Sequence, residues 1–70
     1  MNEYNAKGLS CPEPVIMAKK ALKENKDGID ILVDNVASKE NVKRYAEATG
    51  YAVEIKEEGM LWRLMIREQS

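Results

Sequence analysis

Both prolines of this chain, Pro12 and Pro14, lie within three residues of its only cysteine, Cys11. Proline fixes φ and lacks an N–H, so a helix accepts it in the first turn and almost nowhere else. A helix-like run follows. The spacing therefore predicts Pro12 as the first helical residue and Cys11 as the N-cap. A thiol there faces the positive end of the helix dipole, which favours the thiolate, the nucleophilic form. The prolines stiffen the turn, and the N–H groups of Glu13 and Val15 are left to face the sulfur or an anion near it. Glu13 opposes this activation, because a nearby carboxylate raises a thiol pKa. Lys7 and Lys19 offset it if they approach. Free cysteine is commonly a small buried hydrophobe. A place between a glycine turn and a proline-started helix argues for a reactive role instead.

The remaining elements follow from pattern. Glu3-Tyr4-Asn5-Ala6 reads as a short, weakly apolar strand, and Gly8-Leu9-Ser10 as the turn out of it. Pro12 to about Asn25 forms a helix with Val15, Ala18 and Leu22 on its apolar stripe, Met17 and Ala21 beside them, and Lys19, Lys20 and Lys23 in water. Asp27-Gly28 ends that segment. Ile29 to Val33 is the clearest strand, rich in β-branched residues. Ser38 is the expected N-cap of a second helix, which runs to about Thr49 with Val42, Tyr45, Ala46 and Thr49 inward and Gly50 at C′. Tyr51 to Lys56 alternates as a half-buried strand, and Glu58-Gly59 is the expected hairpin turn. Leu61 to Arg67 closes the chain, with Trp62, Leu64 and Ile66 on one face and Leu61 and Met65 on the other.

The order is β-α-β-α-β-β. Right-handed crossovers put both helices on one face of one sheet. The fold class is α+β: a single domain over residues 1–70, in two layers, with the other sheet face uncovered. Leu32, Leu61 and Met65 are expected on that open face, as isolated surface apolars or as a partner patch.

Composition narrows the chemistry. Seventy residues with no histidine rule out Cys-His and Ser-His nucleophilic centres and leave no Cys and His set for structural zinc. The four glycines are scattered, so no phosphate-cradling loop is present. No apolar run is long enough to span a membrane. The polar start, Met1-Asn2-Glu3-Tyr4, does not read as a secretory signal, and a lone cysteine suits a reducing compartment, so the expected location is the cytoplasm. A net charge of -1 gives no global attraction for nucleic acid.

Thiol exchange is the chemistry left to a reactive Cys11. It needs a thiolate and an exposed sulfur, with no second thiol, base or cofactor in the chain. Cys11 could then take the outer sulfur of a donor's persulfide and yield it to a partner's thiolate.

Gly8-Leu9-Ser10-Cys11-Pro12-Glu13-Pro14, followed by Lys19-Lys20-Ala21-Leu22, resembles the TusA/SirA-like sulfur-carrier family with its Cys-Pro-x-Pro motif. Val33-Asp34-Asn35, Glu40-Asn41-Val42 and Arg44 are similar to its YedF branch. The resemblance covers nearly the whole chain. It implies a sandwich with strand order 1-2-4-3, similar to the C-terminal domain of bacterial translation initiation factor 3. It implies that Cys11 accepts sulfane sulfur from a cysteine desulfurase or rhodanese-like donor and passes it to a relay acceptor for tRNA thiolation or another sulfur pathway. The YedF branch is associated by name with selenium metabolism, and its members often carry a second domain after this one. The chain departs from the family pattern at Asn5, where an Asp is usual, and Lys7 adds a charge near the motif.

A second function class is a regulatory or binding module of the same fold. Lys19, Lys20, Lys23, Lys43 and Arg44 could contact RNA phosphates, although no aromatic stacking platform accompanies them. In the carrier reading, Lys7, Lys19 and Lys20 instead steer acidic partner surfaces.

Overall fold

The computed structural model describes residues 3–10 and 13–68. Cys11 and Pro12, and with them the expected N-cap and first helical residue, lie outside the described residues. Elements follow in the order β1 (Glu3–Asn5), α1 (Glu13–Glu24), β2 (Gly28–Val33), α2 (Val36–Ala48), β3 (Tyr51–Glu58) and β4 (Leu61–Glu68). The strands form one sheet in the order β1-β2-β4-β3. β1 runs parallel to β2, and β4 lies antiparallel to both β2 and β3. The expected order and the mixed sheet are therefore present.

The helix-covered face holds the core. Ile29, Ile31, Val33, Leu64 and Ile66 are fully buried there, under Ala18, Ala21, Leu22, Val42 and Ala46. Period-2 alternation on the strands and helical spacing on α1 and α2 produce this face. Small alanines let the helices approach the sheet closely.

The open face differs from expectation. Leu32 lies on it but is buried, and Leu61 and Met65 are only half-exposed. An ion-pair lattice covers this face. Arg63, opposite Leu32 in the register, bonds through Nε to Glu58 and through Nη1 to Glu3 and Asp30. Arg67 Nη2 donates to Asp30 Oδ1 at 2.8 Å. Glu58 and Glu3 hold the Arg63 guanidinium in its charged form by raising its pKa. Long arginine stems cover apolar surface while their heads stay wet.

Three local expectations are corrected. Asn35, not Ser38, caps α2: its Oδ1 accepts the Ser38 N–H at 2.8 Å. Ser38 is instead buried as the third helical residue, with no hydrogen-bond partner for its hydroxyl. Thr49 is exposed rather than inward, because it is the C-cap and its hydroxyl donates to the Ala46 carbonyl at 3.0 Å. β3 extends through Glu58, so Gly59-Met60 forms the hairpin turn.

Gly28 locks the far end of the sheet. Its φ is +136°, and a Cβ there would meet the Ile66 carbonyl oxygen at 2.2 Å. Only a residue without a side chain fits both constraints.

Candidate functional site

The sequence around Cys11 is held by two consecutive backbone turns. In the first, the Leu9 N–H donates to the Ala6 carbonyl at 3.1 Å. Gly8 takes the third position of that turn with φ +82°, where a type II turn needs a positive φ and glycine supplies it without strain. Asn5 supports the turn by accepting the Lys7 N–H on Oδ1 at 2.8 Å. In the second turn, the Glu13 N–H donates to the Ser10 carbonyl at 2.9 Å. That bond brackets Cys11 and Pro12. The Glu13 N–H thus serves the backbone of the turn.

Asp34 ties the two crossover corners together. Its Oδ2 accepts the Gly8 N–H at 3.0 Å, and its Oδ1 accepts from Asn35 Nδ2 at 3.1 Å. Asn35 in turn caps α2. One carboxylate therefore joins the loop before the cysteine to the start of the second helix. In the sequence Asp34 stands out only within the Val33-Asp34-Asn35 run. Its signal was a carboxylate directly after the most buried strand, where a polar group must find a partner or reach water.

Topology brings five features to one end of the molecule. Parallel β1 and β2 both end there, so the helices that follow them both begin there. The β3–β4 turn falls at the same end, because Val33 pairs with Trp62. Lys39 of α2 caps this corner, with Nζ 5.0 Å from the Trp62 ring centre. Pro14 is buried and anchors the first turn of α1, while Glu13 is exposed.

The lysines expected to guide partners are dispersed. Lys7 lines a recess of about 490 Å³ with Asp34, Glu58, Met60 and Leu61. Lys20 lines an apolar groove of about 540 Å³ with Tyr4, Leu9, Ile16 and Met17. Lys19 stands on the other flank of α1, with Lys23, Lys26, Tyr45 and Tyr51. The basic pair Lys43 and Arg44 shares its recess with Glu40 and Glu47, so acidic groups interrupt the phosphate path of an RNA reading. Among the described residues, no three His, Cys, Asp or Glu side chains converge on a metal position, and no helix is long and apolar enough to cross a membrane.

The fold is a small α+β sandwich with two consecutive turns before its first helix, and comparisons with known proteins place it in a family. The family model described as Sulfurtransferase TusA matches residues 2–68. A Methanocaldococcus jannaschii protein designated "putative sulfur carrier protein" is 40% identical over 60 residues, covering 83% of this chain and 80% of that one. The crystal structure of a SirA-like protein from Desulfitobacterium hafniense superposes with a TM-score of 0.87 at 36% identity, covering 100% of both chains. The chain belongs to the TusA family of sulfur carriers.

Proposed function

We propose that Cys11 carries sulfane sulfur as a persulfide between two partner proteins. The Cys11 thiolate attacks the outer sulfur of a donor cysteine persulfide, R–S–SH. The donor's S–S bond breaks, and its electron pair leaves on the donor thiolate. The new S–S bond gives Cys11–S–SH. The balance needs no oxidant or reductant. The same exchange in reverse roles delivers the sulfur to an acceptor thiol.

The observation that carries this reading is the bracketed turn: the only cysteine of the chain lies between Ser10 and Glu13, joined by a 2.9 Å hydrogen bond, where α1 begins. Gly8, Pro12, Glu13 and Pro14 serve as its frame. The donor is a cysteine desulfurase or rhodanese-like protein, and the acceptor is a relay protein of tRNA thiolation or of another sulfur or selenium pathway. The similarity of Val33-Asp34-Asn35 and Glu40-Asn41-Val42 to the YedF branch supports a place in it, and the lone cysteine suits the cytoplasm.

Intact mass spectrometry tests the proposal. Incubation with a cysteine desulfurase and L-cysteine adds one sulfur, about 32 Da, to the wild type and nothing to Cys11→Ser. A wild-type chain that gains no sulfur from a desulfurase, a rhodanese or inorganic polysulfide overturns it.

A further inference from the structure

Exposed large hydrophobic side chains are concentrated at one end of this molecule. Among the described residues they are Ile16, Val36, Ile55 and Met60. Ile16 is in the first turn of α1, Val36 is the first residue of α2, and Met60 is in the β3–β4 turn. All three lie at the end where the Cys11 turn begins α1. Ile55 alone is elsewhere, midway along β3. Met60 is 90% exposed and Val36 56%. Scattered apolar residues need no explanation, but a cluster around one feature does.

In the recess that Lys7 lines, the acidic groups are already paired. Asp34 spends its carboxylate on Gly8 and Asn35, and Glu58 spends its own on Arg63. Lys7 stands exposed in the same recess as Met60 and Leu61 and makes no ion pair among the described residues. The helix N-termini add their positive ends. An apolar surface that carries an acidic side chain complements this arrangement.

We infer that Met60 and Val36 form the apolar rim on which the sulfur-donating protein seats itself, with Lys7 receiving an acidic group of that protein. The inference rests on the carrier reading above: a donor persulfide must come within bonding distance of Cys11, so its owner must cover this end. Met60 at the hairpin tip and Val36 at the helix start then set the affinity, while the Cys11 turn sets the chemistry.

Serine replacements test it, because they remove apolar area and leave charge near the thiol unchanged. The Met60→Ser/Val36→Ser double variant is compared with wild type and with Ile55→Ser. Sulfur uptake is followed by intact mass, first from a cysteine desulfurase with L-cysteine and then from inorganic polysulfide, which needs no docking. The double variant is expected to raise the apparent KM for the carrier about tenfold in the desulfurase reaction, as the loss of one or two buried apolar contacts implies. Its uptake from polysulfide and its Tm stay at wild-type values, and Ile55→Ser matches wild type in both reactions. An unchanged KM in the double variant overturns the inference, as does an equal rise in Ile55→Ser. A matching fall in polysulfide uptake also overturns it, because the change would then lie in the thiol. A wild type that takes sulfur from polysulfide but whose double variant docks normally leaves the carrier reading standing without this surface. A wild type that takes sulfur from no source removes both.

Discussion

The two ends of this sandwich are built from the same six elements and are opposite in character. At one end α1 and α2 begin, β1 and β2 finish, and the hairpin turns. Its backbone is gathered by side-chain acceptors: Asn5 on Lys7, Asp34 on Gly8, Asn35 on Ser38. Its surface carries exposed Met60 and Val36. At the other end the helices finish, and Lys23 and Lys26 gather with Tyr45 and Tyr51. There the chain is locked by close packing, with Gly28 against Ile66 and with Asn25 Nδ2 donating to the Tyr4 hydroxyl at 2.9 Å. Cations near helix C-termini offset the negative dipole ends. The difference follows from the parallel strands. β1 and β2 end on the same side, so the helices that follow them both begin there. One end therefore collects the positive dipole ends and the chemistry, and the other is left to carry stability.

This contrast can be broken from either side. The largest effect is expected from Cys11→Ser, which abolishes sulfur uptake in intact-mass assays while leaving the circular dichroism spectrum and Tm at wild-type values. At the opposite end Gly28→Ala does the reverse. Backbone strain and the collision with the Ile66 carbonyl cost on the order of 3 kcal/mol in urea unfolding, while sulfur uptake by the molecules that remain folded is unchanged.

Asp34 sharpens the comparison, because it stabilises and positions at once. Asp34→Ala removes the acceptor for the Gly8 N–H and is expected to cost about 1 kcal/mol and to slow uptake. Asp34→Asn keeps an oxygen there and restores most of both. Equal losses in the two variants would mean that charge, not the hydrogen bond, is what the corner uses. The smallest effect is expected from Arg63→Leu, which removes the ion pairs of the open sheet face to Glu3, Asp30 and Glu58. Its stability loss is modest and shrinks as salt rises, since ion pairs that still reach water are partly screened.

Much of this was legible in the sequence, for identifiable reasons. β-branched Ile29 to Val33 and the alternation of Tyr51 to Lys56 fixed the strands, and chirality then fixed the sheet. The Cys11-Pro12-Glu13-Pro14 run marked the start of α1 because a helix accepts proline in its first turn and rarely beyond it. What escaped the sequence reading depends on distance in the chain. Asp34 and Gly8 are 26 residues apart, and no local pattern announces their bond. Asn35 outcompeted Ser38 as the cap because Ser38 lies on the stripe with Val42 and Ala46 that α2 buries. The docking set Lys7, Lys19 and Lys20 looked like one patch in a linear reading. Lys19 and Lys20 are adjacent on a helix, where about 100° of rotation separates neighbours, so they line different grooves.

The proposed carrier role requires an accessible Cys11 thiolate. The pH dependence of alkylation by iodoacetamide, measured on the folded chain and again in urea, tests it most directly. The expected result is a folded-state midpoint well below about 8.5, the ordinary cysteine value, and a return to that value in urea. A cysteine that reacts only once the chain is unfolded would contradict it and make Cys11 a packing residue.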